Sequence, residues 1–507
     1  MVMLTAASRA THAQENLFSA ENLHRAYLDC RRRKRSSSSA LQFELRQFRE
    51  IFSLEHALQA KTYRPGRSIA FVLSSPKYRE VFAAHFRDRV VHHLFVREIE
   101  PYWEKRFIGQ SFACRPQKGV HAAVDYLQRQ LQKVSQGKRR QAYYLQLDIE
   151  NFFGTVHKPL LRTMVLDGLK KQYHVPRNSL PLQCRMLHRF QEMQWLTHVL
   201  LNHRPETDVL RQSSPKLWKA IPAHKSLFHT SPEQGLPIGN LTSQFFANIY
   251  LNKLDQFIKH ELKAKHYMRY VDDFVLLSAS RAELQHWHHA IDDFVQSKLK
   301  LKLKKKAKVL SGISSGVNFL GYIVRPTHKY VRRRTLGSIT KKLQRIQEQC
   351  VEQDQQSLCL SFDPVLLEKL RAMLASYSGH WKHAGWRQDL AALRAKFLFL
   401  GYYFYCDKEK NGQLTCRWRA KRSFTSFKAQ VGFFRKQYPF AKLRIQLGRG
   451  YQVFDALNTL DSQAELTVQQ TDFRGSSPRE RLPWKLRLPP DAFSRYAGFK
   501  DEGIKYD

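Results

Sequence analysis

Residues Tyr267 to Ser278 read YMRYVDDFVLLS, two apolar and aromatic runs pinched around the acidic pair Asp272 and Asp273. Such runs predict two short strands joined as a hairpin, with the acids at its turn. Upstream, Gln141 to Asp148 alternates and ends in an acid, which predicts another strand, and helical periodicity returns from Phe152 to Leu169. An acid at the end of a buried strand costs several kcal/mol unless a cation stands near it. Brought together, these elements would converge three carboxylates, Asp148, Asp272 and Asp273.

Carboxylate oxygens are natural ligands of Mg²⁺, which keeps several waters and accepts one or two protein carboxylates plus substrate phosphates. Two such ions, about 3.5–4 Å apart, can activate an attacking 3′-hydroxyl and stabilise a leaving pyrophosphate. That chemistry is nucleotidyl transfer. An Asp-Asp pair alone is most often a cap or a solvated pair; the flanking strand patterns and Asp148 upstream set this one apart.

Composition agrees. At roughly 150 residues per domain, 507 residues suffice for about three domains and a large core. The 85 Lys plus Arg against 43 Asp plus Glu leave a net charge of +42, far beyond what solubility requires. A polyanion is the expected partner, and nucleic acid fits better than a membrane surface because the basic residues are spread among aromatics along the whole chain. No apolar stretch approaches the ~20 residues of a membrane helix. Met1 to Asn16 lacks the pattern of a secretory signal, so a cytoplasmic protein is expected. Seven scattered cysteines with no C-x-x-C pair argue against a disulfide framework or a zinc ribbon.

Elsewhere the periodicity predicts a basic arm at Cys30 to Ala40, a helix over Leu41 to Ala60, a strand at Ser68 to Leu73 and a helix over Lys77 to Glu100. Tyr173 to Thr230 reads as a long polar and aromatic stretch, Leu241 to Leu262 and Leu284 to Leu299 as helices. Lys300 to Val309 reads as a lysine-dense strand, Val317 to Val324 as another strand, and Arg332 to about Leu400 as mostly helical.

From about Leu41 to Ile323, and more weakly to about Leu400, the chain resembles the reverse transcriptases. Tyr270-Val271-Asp272-Asp273 resembles the family's Y-x-D-D hairpin and Asp148 to Phe153 (DIENFF) its first acidic motif. Gly235 to Gln244 (GLPIGNLTSQ) resembles the template- and nucleotide-positioning motif, and Val317 to Tyr322 (VNFLGY) the primer-grip strand.

The resemblance implies a role for each matching position. Phe153 would lie under the sugar of an incoming nucleotide and exclude a 2′-hydroxyl, and Gln244 would touch the nucleotide or template. Glycine at Gly239 lets the backbone approach a base pair closely. Lys77 and Arg79 match the fingers cations that hold the triphosphate; Arg87 and Arg89 would position the template backbone. Tyr270, Leu320 and Gly321 would contact template or primer. Among the lysines from Lys302 to Lys308, Lys306 is the expected donor of a proton to pyrophosphate.

Ile238 to Gln244, Arg115 to Gly119 (RPQKG) and Asp88 to His93 (DRVVHH) resemble diversity-generating retroelement enzymes and their defence relatives, as does Ser376 to Ala384 (SYSGHWKHA). No H-N-H nuclease pattern and no ribonuclease H acids are visible. Tyr438 to Ala456 resembles the opening of the mismatch-recognition domain of MutS proteins, with Gly450 and Gln452 where that family has its reading Phe and Glu.

The expectation is an α+β right-hand polymerase: an N-terminal helical arm over 1–60, fingers and palm over 61–324, a helical thumb over 325–400 and a basic α/β extension over 401–507. It would use two Mg²⁺ ions and dNTPs to copy an RNA template, expected to be a cognate non-coding RNA, into DNA. The setting would be a bacterial defence system or retroelement, with an accessory protein as a further partner. Two rivals are a catalytically silent nucleic-acid-binding scaffold and a template-independent or protein-primed polymerase.

Overall fold

The computed structural model describes residues 16–384 except 33–36, 75–76, 175–179 and 354–357; beyond 384 it describes chiefly the strands 404–408, 414–418, 442–447, 450–454, 465–468 and 484–488. Part of the basic arm and the Gly450 and Gln452 side chains thus lie outside the described residues. The fold is α+β, in the manner of a right-hand polymerase. It divides into two compact units, Met1–Ser315 and Gly316–Asp507, so the expected primer-grip segment falls in the second.

In the first unit, β1 (Ser68–Leu73) and β2 (Arg79–Ala83) form an antiparallel pair with Ile69 opposite Ala83. Here the helix expected from Lys77 is corrected. Arg79–Ala83 is a strand because it pairs residue by residue with β1, and the helix starts only at Phe86, running to Glu104. After it come the helix Val120–Val134 and β3 (Tyr143–Asp148). The polar stretch after Tyr173 also needs correction, since it contains the helix Leu180–Asn202, with Met193, Leu196 and Leu201 buried at helical spacing, and then β4 (Val209–Arg211), parallel to β1.

The hairpin predicted at Tyr267 to Ser278 is present as β5 (His266–Tyr270) and β6 (Asp273–Ser278), with Val271 and Asp272 as its two-residue turn. A four-stranded sheet runs β5-β6-β3-β7, where β7 is Val309–Gly312. Leu145 and Leu147 of β3 point into the core with Phe274 and Leu276 of β6, and the period of two leaves Gln146 and Asp148 on the other face. The helix Leu241–Gln256 packs chiefly against Phe86–Glu104, and the helices Val120–Val134 and Arg281–Leu299 pack on this sheet. The last is N-capped by Ser280, whose Oγ accepts from the Glu283 amide at 3.2 Å, while the Ser280 amide donates to Ser278 Oγ at 2.9 Å.

The lysine-dense strand is not a strand. Lys300 ends the preceding helix in the left-handed region (φ 55°), only Leu303 bridges to Ile149, and Lys305–Ala307 form a 3₁₀ turn. Only Leu301 and Leu303 turn into the core, and Lys304 to Lys308 offer no apolar face that a strand could bury.

In the second unit, Val317 to Val324 splits into β8 (Val317–Phe319) and β9 (Tyr322–Val324). Leu320 and Gly321 between them both have positive φ (49° and 93°), as a tight two-residue hairpin turn requires. β10 (Lys329–Val331) completes this sheet. The helices Arg333–Cys350 and Pro364–His383 follow the helical expectation, but β11 (Val351–Gln353) and β12 (Leu358–Phe362) interrupt it. The alternation of Leu358, Leu360 and Phe362 is the strand signal. These two strands join four from the C-terminal region, β15 (Lys442–Leu447), β16 (Gly450–Phe454), β17 (Glu465–Val468) and β18 (Trp484–Leu488), in the order β11-β12-β18-β17-β15-β16; β13 (Phe404–Lys408) and β14 (Leu414–Trp418) pair separately. Among the described residues no helix is long and apolar enough to cross a membrane.

Candidate active site

The antiparallel register makes Asp148 and Asp273 direct cross-strand partners, and Tyr270 partners Asp273 on its other side. Asp272 occupies the turn next to them. Its carbonyl accepts from the Ile149 amide at 3.3 Å, while the Asp148 carbonyl accepts from the Lys304 amide at 2.8 Å. The backbone therefore fixes all three acids in one cluster at the end of the sheet.

The electrostatics of the cluster are those of crowded carboxylates. Burial first, and then the neighbouring charge of Asp148, push the Asp272 carboxyl up to about 6, against the opposing pull of Arg79 and Lys304. Lys304 Nζ stands 3.5 Å from Asp148 Oδ2. Asp273 is held differently, for Gln146 Nε2 donates to its two carboxylate oxygens at 3.0 and 3.3 Å. Among the described residues no three His, Cys, Asp or Glu side chains cluster tightly enough to hold a metal by themselves. Hard carboxylate oxygens in mutual repulsion, with an ammonium drawn towards one of them, are nonetheless the donor set that suits a divalent cation completed by waters and substrate phosphates.

Directly beyond β3, Asn151 adopts a left-handed conformation (φ 46°) and the short helix Phe152–Thr155 begins. Phe153 is half-buried there, and its carbonyl accepts from the Leu236 amide at 2.7 Å. The Gly235 to Gln244 motif is thereby bonded to the element that follows the first acid. At its other end the Ile238 carbonyl accepts from the Phe82 amide at 2.7 Å, and a Cβ on Gly239 (φ 125°) would meet the Phe82 carbonyl oxygen at 2.7 Å. This close approach fastens β2 to the site and brings the Arg79 charge to bear on Asp272. Gln244 is exposed on the first turn of its helix.

The remaining expected residues are placed less directly. Lys77 is exposed just before β2. Arg87 lies over the Tyr63 ring at 5.4 Å, and Arg89 Nε donates to the Ala84 carbonyl at 2.8 Å. Lys306 lies in the 3₁₀ turn. Tyr270 is half-buried, and burial pushes its hydroxyl pKa up. Leu320 and Gly321 belong to the second unit.

Sequence reasoning missed Gln146, Lys304, and a buried pair under the hairpin, Arg269 with Asp255. Gln146 shares a strand face with Asp148 but carries no signal of its own, and Arg269 was readable as a charge inside an apolar strand. Lys304 had no signal above its neighbouring lysines.

An antiparallel sheet that brings acids of opposed strands together at its end, with a small sheet bonded to the loop beside them, is the arrangement of a right-hand polymerase fold. Residues 73–324 match the reverse transcriptase (RNA-dependent DNA polymerase) family and form a reverse transcriptase domain. The chain is 24% identical over 314 residues to protein YkfC of Escherichia coli K12, covering 55% of this chain and 71% of that one. Among solved structures it is similar to telomerase from Candida tropicalis (TM-score 0.36, 11% identity, 52% of this chain and 55% of that chain) and from Candida albicans (TM-score 0.34, 10% identity, 56% and 50%). It spans about half the length of these telomerase chains.

Proposed function

We propose that the chain copies an RNA template into DNA from dNTPs, with Asp148, Asp272 and Asp273 as its catalytic acids. The carrying observation is the cross-strand pairing of Asp148 with Asp273 beside an Asp272 whose carboxyl is held up to about 6 by burial and by Asp148. Two Mg²⁺ ions held by these acids would lower the pKa of the primer 3′-hydroxyl and neutralise the departing pyrophosphate. Phe153 carries the deoxyribose and rejects a 2′-hydroxyl. Arg79, with Lys77, binds the triphosphate from the β2 side. Gln244 and the Gly239 turn position the base pair, Arg87 and Arg89 support the template strand, and Tyr270, Leu320 and Gly321 meet template or primer.

For the proton given to pyrophosphate, Lys304 is a better candidate than Lys306, because its ammonium already faces Asp148. The motifs Ile238 to Gln244, Arg115 to Gly119 and Asp88 to His93 support a bacterial defence or retroelement setting, for which we propose a cognate non-coding RNA, an accessory protein and a cytoplasmic location. The decisive assay is dNTP incorporation on a primed RNA with Mg²⁺, comparing the native chain with Asp272→Asn plus Asp273→Asn. Incorporation lost in the double variant supports the reading. A native protein that binds RNA and never incorporates, even on RNA from its own host, leaves the scaffold reading in its place.

A further inference from the structure

Under the acidic turn lies a charge pair that the chemistry just proposed does not use. Arg269 and Asp255 are both 0% exposed, and the guanidinium meets the carboxylate with Nε 2.8 Å from Oδ1 and Nη2 2.5 Å from Oδ2. Nη2 also donates to Ser111 Oγ at 3.1 Å; Nη1 donates to Asn248 Oδ1 at 3.4 Å and to the Val271 carbonyl at 3.0 Å. A guanidinium has five N–H groups. All five are engaged here.

The bond to Val271 matters most. Val271 has φ 55°, a conformation in which a β-branched residue is a genuine outlier that persists only where its surroundings impose it. This residue immediately precedes Asp272. A buried ion pair is seldom the most stabilising choice for a core, so its presence directly under a strained turn calls for a geometric reason.

We infer that Arg269 is a positioning residue: clamped by Asp255, it grips the Val271 carbonyl and holds the turn in the left-handed conformation that keeps Asp272 beside Asp148. The clamp is anchored on three sides. Asp255 and Asn248 belong to the helix Leu241–Gln256, and Asp255 is itself oriented by the Tyr267 hydroxyl at 2.7 Å. Ser111 lies in a segment that bridges alongside Arg269, with the Arg269 amide donating to the Gln110 carbonyl and the Phe112 amide to the Arg269 carbonyl, each at 3.0 Å. The turn itself is the third side.

The inference rests on the proposed role of Asp272, so its test includes a readout that needs no catalysis. Arg269→Lys keeps a positive charge opposite Asp255 and removes the arm that reaches Val271. Hydrogen exchange in the peptide Tyr267 to Ser278 should accelerate by about tenfold or more, with peptides of the Arg281–Leu299 helix unchanged. Incorporation should fall roughly 10- to 100-fold in kcat, the scale of a misplacement of about 1 Å, with KM for primer-template unaltered. Adding Val271→Gly, which tolerates positive φ without strain, should recover most of the lost kcat.

A folded Arg269→Lys protein with native exchange at the hairpin tip overturns the inference, as does the absence of any recovery by Val271→Gly. Should Arg269→Lys not fold, Ser111→Ala removes one anchor only. It should give the same exchange signature at smaller size, and native exchange there overturns the inference equally. A native chain that incorporates no dNTP would sink the polymerase reading, while the exchange measurement still decides the clamp.

Discussion

Gln146 donates its side-chain amide to both carboxylate oxygens of Asp273, while Asp148, two residues along the same face of β3, faces Lys304 instead. The acids are therefore not equivalent. Asp273 has a neutral donor already in place, whereas Asp148 and Asp272 repel each other and need a cation. Replacing Asp148 or Asp272 by Asn should cut dNTP incorporation on the order of a thousandfold or more, as loss of a main electrostatic element does. Asp273→Asn keeps an oxygen for Gln146 and should lose at least about tenfold less. Single-turnover rates for the three variants measure this, and equal losses would refute the distinction.

The raised Asp272 carboxyl makes stability depend on pH and on metal. Its value of about 6 in the folded chain lies above the ~3.9 of an unfolded aspartate, so the folded state holds the extra proton between those values. The stabilisation from that proton is complete below about 4 and is lost as pH rises through about 6. Relative to Asp272→Asn, which cannot titrate, the metal-free native chain should lose a few degrees in melting temperature between pH 5 and pH 7; about 1 kcal/mol moves a midpoint by roughly 2–4 °C in larger domains. Mg²⁺ should restore those degrees at pH 7 and little at pH 5. Thermal melts of the two proteins with and without Mg²⁺ test it, and identical pH profiles would remove the argument.

Phe153 is held by its own backbone, the carbonyl bonded to Leu236, so its side chain can be shortened without displacing the motif. Phe153→Val should leave dNTP incorporation within about tenfold of native while raising ribonucleotide use relative to deoxynucleotides by roughly 10- to 100-fold, the range a pocket wall commands. Competing dGTP against GTP on one template measures the ratio, and an unchanged ratio would return Phe153 to a packing role.

How much of this is legible in the sequence depends on how local each signal is. Asp272 and Asp273 are readable because the strand pattern on both sides of them is contiguous, and Asp148 because its strand ends on it. Gln146 and Lys304 acquire meaning only through register, which pairs β3 with β6 and lays residues 302–304 beside Asp148. Arg79 reads as helical from periodicity alone, since the helical residues from Phe86 onward mask the short strand that pairs with β1. Arg269 stands out as a charge in an apolar run, but its partner Asp255 lies on a different element, beyond any local pattern. The strands β11 and β12 carry only the short alternation of Leu358, Leu360 and Phe362 as a local signal, and the sheet they join is completed by strands from the far end of the chain.

Gly239 offers the sharpest steric test of how the fingers are fixed to the site. With φ at 125°, and with the Phe82 carbonyl oxygen 2.7 Å and Val81 Cγ1 2.9 Å from where a Cβ would sit, alanine there must either twist the turn or push β2 away. The strain alone costs on the order of 1–3 kcal/mol. Pushing β2 also breaks the bond from the Phe82 amide to Ile238 and withdraws Arg79 from Asp272. Gly239→Ala should therefore raise KM for dNTP by about tenfold or more and lower the melting temperature. Gly137→Ala is the informative contrast, for its φ of 66° is also strained but nothing lies within 4 Å of the added carbon. It should destabilise the chain comparably and leave KM for dNTP near native, so an equal rise in both variants would show that backbone strain, and not the approach of β2, governs nucleotide binding.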